Sequence, residues 1–377
     1  MKLLVFAHTP PPHHGQSYMV QLLLDGLKGS GICVFHVNAR LSDAVADIGR
    51  MRWGKVFVLL KCCLQAIWLR LRHGIDNFYY VPTSGNRAGL YRDWLVMLVC
   101  RPFFHRIIYH WHSAGLGEWL EKEAKPWERL LSQQLIYGPN LSIVLGKSNR
   151  SDAEAVASRN VVVVPNGIPD PRPDFEKDVL PVRLAQAEKR RGGEPYTFQV
   201  LYLGLCYRPK GLFDLLEAIA LANEKLEGTP IRMKLVVAGG FYLEAERGEF
   251  EKRVSQPDLL NWVEYKGFVT GDEKRGLLRT VDGLCFPTYY PFESFGLVVL
   301  EAMAYGLPVV VTNWRAVPEV VPEKYDHIVE PQSPQQLAKS LIALLGEGYD
   351  PRLREHFLAH YTHELFVAKI KAALMNL

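Results

Sequence analysis

Short runs of β-branched and aromatic residues alternate with amphipathic helical segments along most of this chain. Because parallel strands need a long crossover, usually a helix, this alternation predicts α/β units with parallel sheets. The strands predicted in the first half cover residues 3–7, 33–37, 78–81, 106–110, 142–145 and 161–164. Those predicted in the second half cover residues 199–203, 234–238, 261–266, 283–286, 308–312 and 327–329. The pattern restarts once, which predicts two Rossmann-like domains with a cleft between them.

A proline-rich stretch separates the two series of elements. Between residues 167 and 195 the chain carries five prolines and a charged middle, a composition typical of a domain boundary. We therefore expect an N-terminal domain over residues 1–175, a linker over 176–196 and a C-terminal domain over 197–355. A last helix within residues 356–377 has no predicted strand after it.

The composition is that of an ordinary globular protein. The 377 residues, 48% hydrophobic and 22% charged, can build two domains with real cores. The opening MKLLVFAHTPPP is too short in its apolar part for a signal peptide, and charged residues interrupt the later apolar stretches before they could span a membrane. Six cysteines without a C-x-x-C spacing indicate reduced thiols, so we expect a cytoplasmic protein.

The net charge of +4 is unevenly distributed. Residues 1–165 hold 19 Lys and Arg against 11 Asp and Glu, and the remainder is acidic. A basic amino-terminal half favours an acidic partner or an anionic membrane surface. We do not expect nucleic acid, because the basic residues are scattered and form no Arg-rich helix.

The most basic segment, residues 50–73, carries six Lys or Arg and no acidic residue on a helix rich in Leu, Val and Trp. One interpretation is a helix that lies on an anionic membrane surface, at the inner face of the plasma membrane. The alternative is a helix packed on the sheet, with its cations in solvent. That alternative places against the sheet Val56, Leu59, Leu60, Leu64 and Ile67.

Two carboxylates eight residues apart, Glu293 and Glu301, flank a predicted helix start. Ser294 is a favourable N-cap, the apolar run 295–305 forms the helix, and Gly306 would end it. The unpaired backbone N–H groups at such a start bind phosphate or diphosphate well. Helical rise over eight residues, about 12 Å, would place Glu301 two turns inside. The N–H groups concerned belong to Phe295, Gly296 and Leu297.

This stretch resembles the E-x7-E motif of retaining GT-B glycosyltransferases, particularly glycosyltransferase family 4. The resemblance implies two domains that face a central cleft, with the C-terminal helix crossing back to the first domain. It also implies transfer of a hexose-like sugar from a nucleoside diphosphate sugar to a hydroxyl group of a lipid-linked or saccharide acceptor, as in cell-envelope glycan or glycolipid synthesis. No cofactor or metal ion is implied. Glu301 would hold the ribose hydroxyls and Glu293 the donor-sugar hydroxyls.

The segment from Gly204 to Gly211 resembles the G-R-L-x-x-x-K-G loop of that family. Lys210 would offset the charge of the leaving diphosphate in place of a metal ion. Leu205 stands where the family has Arg, and Arg208 is the nearest replacement. The alternative is that Lys210 and Arg208 are solvated loop charges.

The family also implies main-chain contacts from Gly267, Phe268 and Val269 to the nucleotide base. In the first half, the family has a Gly-Gly pair after the first strand, and this chain has the single Gly15 there. His110 and His112 lie two residues apart at the end of a predicted strand, hence on one face. The resemblance gives His112 a role near the anomeric carbon and leaves His110 in the core. A metal pair is the alternative, and it would need further ligands.

Two other functions remain open. A phosphorylase or epimerase of related fold would share the cleft, although no pyridoxal-binding Lys motif is visible. A catalytically inactive sugar-nucleotide-binding or scaffold protein is favoured by Leu205 and by the reduced glycine loop at Gly15.

Overall fold

The computed structural model describes residues 1–11, 14–40 and 53–377. They form two compact units. The first comprises Met1–Gly167 with His363–Leu377, and the second comprises Ile168–Thr362.

The first unit is built on a six-stranded, wholly parallel sheet with the order β2-β1-β3-β4-β5-β6. Its strands are β1 (Lys2–Phe6), β2 (Cys33–Val37), β3 (Asn77–Tyr80), β4 (Arg106–His110), β5 (Leu141–Val144) and β6 (Val161–Val163). The helices between them are α1 (Gly15–Gly26), α2 (Trp53–His73), α3 (Arg87–Cys100), α4 (Leu116–Lys122), α5 (Pro126–Leu135) and α6 (Arg150–Ala155). The inner strands β3 and β5 are buried along their whole length, as expected for parallel strands covered on both faces.

The second unit repeats the plan with the strand order β12-β11-β10-β7-β8-β9, again wholly parallel. Its strands are β7 (Tyr196–Leu203), β8 (Ile231–Ala238), β9 (Val263–Gly267), β10 (Gly283–Phe286), β11 (Val309–Thr312) and β12 (Ile328–Val329). Its helices are α7 (Phe175–Asp178), α8 (Leu180–Arg191), α9 (Leu212–Lys225), α10 (Glu244–Val254), α11 (Gly271–Thr280), α12 (Leu297–Ala304), α13 (Pro334–Gly346) and α14 (Pro351–His360). The carboxyl ends of these strands meet at one edge of the sheet, where such folds bind ligands.

The last helix, α15 (His363–Met375), returns to the first unit. His363 Nε2 lies 2.9 Å from the carbonyl oxygen of Leu22 on α1, and Phe366 and Ile370 are buried. The predicted crossing of the C-terminal helix is therefore confirmed. The chain returns to the first unit between Thr362 and His363, later than the expected residue 356. The reason is that α14, which ends at His360, still belongs to the second unit.

The stretch expected as a linker, residues 176–196, is mostly helical and belongs to the second unit. Arg183 on α8 is buried and donates to the carbonyl oxygens of Tyr305, at 3.1 Å, and Val281, at 2.6 Å. Pro181 lies in the first turn of α8, where a missing N–H costs nothing. Proline is common at helix starts as well as in loops, so a proline-rich stretch alone does not distinguish a linker from the start of a helix such as α8.

Helix α2 is apolar on two faces. One packs inward through Leu59, Cys63 and Ala66, which are buried. The other is between 54% and 71% exposed at Phe57, Leu64, Trp68 and Leu71. Leu64 therefore does not pack on the sheet, contrary to the interpretation of α2 as a helix that buries this leucine. Residues 50–52, at the start of the basic segment, lie outside the described part. Within the described chain, no helix is both long and apolar enough to cross a bilayer.

Candidate active site

Helix α12 begins later than predicted. Its N-cap is Gly296, at φ +88°, not Ser294, so the helix runs over Leu297–Ala304 and not over 295–305. A Cβ atom at Gly296 would lie 2.8 Å from the ring of Phe286, and the left-handed backbone there also favours glycine. The N–H groups without an intrahelical acceptor are therefore those of Leu297 and Val298, while Phe295 precedes the helix.

The predicted end of this helix is confirmed. Gly306 has φ +56°, and its N–H donates to the carbonyl oxygen of Met303 at 2.9 Å. The N–H of Leu307 donates to the carbonyl oxygen of Ala302 at 3.0 Å. This pair of hydrogen bonds is a Schellman motif, which closes a helix at a left-handed glycine.

Glu293 lies in the turn ahead of α12, and it is paired with Lys210. Lys210 Nζ is 2.6 Å from Glu293 Oε2, with side chains 20% and 10% exposed. Thr288 Oγ1 also lies 3.4 Å from Glu293 Oε2. The ammonium stands 4.6 Å from the centroid of the Tyr290 ring, a cation–π distance. The structure thus brings together two residues that the sequence predicted separately, Lys210 from the loop after β7 and Glu293 from the loop after β10.

Glu301 is the fifth residue of α12, so it lies about one turn inside the helix, and the estimate of two turns was wrong. Its Oε1 accepts from Lys274 Nζ at 2.7 Å. Sequence reasoning missed Lys274. Lys274 lies among the charged residues at the start of α11, which mark a helix start in the sequence. Its pairing with Glu301, 27 residues away, follows only from the fold.

Glycines line the carboxyl ends of β7, β8 and β9. Gly204 directly follows β7, and the N–H of Gly239, after β8, donates to the carbonyl oxygen of Gly267 at 2.7 Å. A Cβ atom at Gly239 would lie 1.7 Å from the carbonyl oxygen of Gly204, so the two loops can approach only without a side chain there. Beyond Gly267, Phe268 is 70% exposed and Val269 is buried.

The side chains of Arg208 and Lys210 point to different partners, although the two residues are only two positions apart. The Arg208 guanidinium pairs with Glu249 at 2.5 Å and lies 4.2 Å from the centroid of the Phe213 ring. It lines a groove of about 700 Å³ between α9 and α10. Arg208 therefore contacts α9 and α10, while Lys210 contacts Glu293.

In the first unit, His112 follows β4 and is partly exposed. Its ring centroid lies 4.0 Å from that of His110. Burial, aided by His14 and His8, lowers the pKa of His112 to about 3, so its imidazole is neutral near pH 7.

His110 is fully buried, and its Nδ1 hydrogen-bonds the hydroxyl of Tyr79, which confirms that it lies in the core. The metal alternative needs a third ligand. Among the described residues, no group of three or more His, Cys, Asp or Glu side chains is arranged to hold a metal ion.

The loop after β1 carries a second pair of histidines. His14 is the N-cap of α1, its Nδ1 accepts from the N–H of Ser17 at 3.4 Å, and Gly15 is the first helical residue. His14 Nε2 therefore carries the proton and donates to His8 Nε2, 2.8 Å away. Burial, followed by His14 and Arg92, lowers the pKa of His8 to about 4. Residues 12 and 13 of this loop lie outside the described part.

Comparison with known proteins gives a consistent result. Residues 186–358 match the profile of the family described as Glycosyl transferases group 1. The chain is 29% identical over 282 residues to the D-inositol 3-phosphate glycosyltransferase of Corynebacterium urealyticum, which covers 72% of this chain and 63% of that protein. The matched stretch thus spans less than two thirds of that relative.

Two solved structures resemble the whole chain at low sequence identity. Sucrose-phosphate synthase of Thermosynechococcus elongatus has a TM-score of 0.73 at 17% identity, over 100% of this chain and 99% of the other. Anabaena HepE, in complex with UDP and glucose, has a TM-score of 0.68 at 16% identity, over 99% of both chains. These likenesses establish the GT-B fold. The chain thus has the GT-B fold, and its residues 186–358 carry the profile of the glycosyl transferases group 1.

Proposed function

We propose that the protein is a retaining glycosyltransferase of family 4 type that moves a hexose-like sugar from a nucleoside diphosphate sugar to a hydroxyl acceptor. The observation that carries this proposal is the Lys210–Glu293 pair directly ahead of the start of α12. A cation, a carboxylate and unpaired N–H groups, brought together by two loops, suit a diphosphate joined to a sugar. The UDP and glucose named with the Anabaena structure agree with such a donor.

Each residue has a distinct role in this proposal. Glu293 accepts hydrogen bonds from the donor-sugar hydroxyls and Glu301 from the ribose hydroxyls. Lys210 and the N–H groups at the start of α12 neutralise the diphosphate. Gly267, Phe268 and Val269 border the base, and Gly204 and Gly15 let phosphate oxygens approach the backbone. In the first unit, neutral His112 hydrogen-bonds the sugar near its anomeric carbon.

The reaction needs no nucleophile from the protein. The bond from the anomeric carbon to the diphosphate oxygen breaks, and the acceptor oxygen forms its bond on the same face. A phosphate oxygen of the departing diphosphate takes the acceptor proton. Charge builds on that diphosphate in the transition state, so Lys210 stabilises the transition state more than the ground state.

Metal independence belongs to the same proposal, because Lys210 and the helix start take the place of a divalent cation. The test is release of nucleoside diphosphate from a panel of nucleotide sugars, with and without excess EDTA. Equal rates support the proposal. Loss of activity on chelation with recovery on adding a divalent ion would contradict the metal-independent part alone.

The acceptor side is proposed from α2. Its exposed apolar face and three of its cations, Lys55, Lys61 and Arg72, suit an anionic membrane surface, while Arg70 is paired with Asp76 at 3.0 Å. A protein held there, on the cytoplasmic face, would reach a lipid-linked acceptor of cell-envelope synthesis.

A catalytically inactive nucleotide-sugar-binding protein is the second candidate. Leu205 in place of Arg favours it, as does Arg208, whose guanidinium is paired with Glu249. Thermal shift with the same panel detects donor binding by mass action. Donor binding without turnover, over a wide acceptor panel, would select this second candidate.

A further inference from the structure

Four aromatic rings lie in series beyond the carboxyl ends of β7, β8 and β10. We call Tyr242, Tyr207, Tyr290 and Phe292, in this order, the aromatic cluster. Neighbouring ring centroids are 5.4, 6.1 and 5.4 Å apart, at interplanar angles of 69°, 73° and 87°. This edge-to-face packing is favourable, and it leaves ring faces that no other ring of the cluster covers.

The phenol oxygens of the cluster are available for hydrogen bonds. Among the residues that the structure describes, none makes a hydrogen bond to the phenol oxygen of Tyr207, Tyr242 or Tyr290. Burial raises the pKa of Tyr207, and it raises that of Tyr290 to about 12. Both hydroxyls therefore stay protonated near pH 7 and can donate as well as accept. Tyr242 is 44% exposed, so a ligand can reach it.

The cluster adjoins the Lys210–Glu293 pair. Lys210 Nζ lies 4.6 Å from the centroid of the Tyr290 ring and 2.6 Å from Glu293 Oε2. A ligand on the cluster would therefore be next to the groups assigned to the diphosphate and the donor sugar.

We propose that the aromatic cluster is a pyranose-binding subsite, for the sugar ring of the donor or for the saccharide end of the acceptor. A pyranose has an apolar face of C–H groups and a rim of hydroxyls. The cluster offers the exposed ring of Tyr242, further ring faces that no ring of the cluster covers, and three phenol hydroxyls without a hydrogen bond to any described residue. A nucleobase would use the faces and leave the hydroxyls unexplained. The inference rests on the proposed function only in taking the donor to be a nucleotide sugar.

The test uses the full chain with Tyr242→Ala and Tyr242→Phe, and with Tyr265→Ala as the matched control. Tyr265 is a 40% exposed tyrosine of the same unit, and its ring contacts are Phe241 and Phe250. Calorimetry measures affinity for UDP, UDP-glucose, GDP and GDP-mannose. Saturation-transfer NMR measures binding of the methyl α-pyranosides of glucose and mannose. Thermal unfolding verifies that each variant is folded.

We expect Tyr242→Ala to weaken one sugar-dependent signal, either nucleotide-sugar affinity or methyl glycoside binding, by roughly fivefold or more. Tyr242→Phe should weaken the same signal less, and Tyr265→Ala should leave it unchanged. Weaker nucleotide-sugar binding with unchanged nucleotide binding identifies the donor ring. Loss of the methyl glycoside signal alone identifies the acceptor ring.

Two outcomes overturn the proposal. One is an equal loss for UDP and UDP-glucose, which would make the cluster a nucleotide platform, and the other is no change in any signal. If the wild type binds no nucleotide at all, the proposed function fails, while the methyl glycoside signals still decide the role of the cluster.

Discussion

Lys210 Nζ lies 2.6 Å from Glu293 Oε2, so the cation and the carboxylate proposed to act on the two ends of the scissile bond are in direct contact. Both side chains are largely buried. An ion pair in such a setting is held by its mutual attraction, and removal of one partner leaves an uncompensated charge. Under the proposed function, donor binding would therefore redistribute contacts that already exist, with the diphosphate competing for the ammonium and the sugar hydroxyls competing for the carboxylate.

Lys210→Met should reduce kcat roughly 10²-fold, because the cation acts on charge that develops on the leaving diphosphate. Lys210→Arg should keep part of that rate. Steady-state kinetics measure both. The matched control is Lys234→Met, which breaks another Lys–Glu pair at 2.6 Å in the same unit, with Glu264. A rate for Lys210→Met as high as that of the control would remove Lys210 from the site.

Glu301→Gln should mainly weaken nucleotide binding, while Glu293→Gln should mainly lower kcat. The ribose does not react, whereas the charge on the donor sugar changes in the transition state. Glu301→Gln should also reduce the preference for a ribose over a 2′-deoxyribose nucleoside diphosphate, measured by calorimetry. Glu264→Gln serves as the control. Full activity in both site variants would contradict the assignment of these carboxylates.

Acid should destabilise the first unit through its histidines. The pKa of His8 is lowered to about 4 in the folded state, against about 6.5 in an unfolded chain. Between these values the unfolded state binds more protons, so stability is full above pH 6.5 and falls as the pH drops toward 4. The positive charge of Arg92, and that of His14 when it is protonated, strengthen the effect on His8. His112, whose own pKa is lowered to about 3, adds a dependence of the same sign.

The measurement is the thermal unfolding midpoint between pH 6.5 and 5.5, a range above most carboxylate titrations. His8→Gln should reduce this dependence, whereas His105→Gln, at an exposed position, should leave it unchanged. A slope in His8→Gln as steep as in the wild type would show that His8 does not carry the effect.

Much of the fold follows from local pattern. The predicted strand 283–286 coincides with β10, and the predicted strand 199–203 lies within the longer β7. Periodicity finds such buried strands because both faces are apolar. It fails at the start of α12, where Ser294 is the better N-cap by residue type and the close approach of Phe286 requires Gly296. That constraint arises from packing and leaves no local signal.

The candidate site shows the same division. A motif could nominate Lys210 and Glu293, but their contact joins residues that are 83 positions apart. The pairing of Glu301 with Lys274, and the turn of Arg208 toward Glu249, depend on where α10 and α11 lie against the sheet. The aromatic cluster draws on three loops, and its rings occupy positions that the motifs leave unspecified. Long-range contacts of this kind follow only from the folded chain.

The exposed face of α2 should bind anionic membranes. Four side chains on that face, Phe57, Leu64, Trp68 and Leu71, are more than half exposed, and the described helix carries four Lys or Arg and no acidic residue. Each cation near a charged surface contributes about 1 kcal/mol, and inserted apolar side chains add to it. In co-sedimentation we expect the protein to bind vesicles that contain anionic lipid, and we expect this binding to fade as salt screens the surface.

Trp68→Ser combined with Leu71→Ser should reduce the vesicle-bound fraction several-fold. Leu260→Ser, which removes a comparably exposed leucine in the second unit, should not change it. The double variant separates apolar insertion from charge, because it leaves every cation in place. Equal recovery of the wild type in the supernatant with neutral and with anionic vesicles would rule out the membrane surface, and the apolar face of α2 would then have to be covered by another partner.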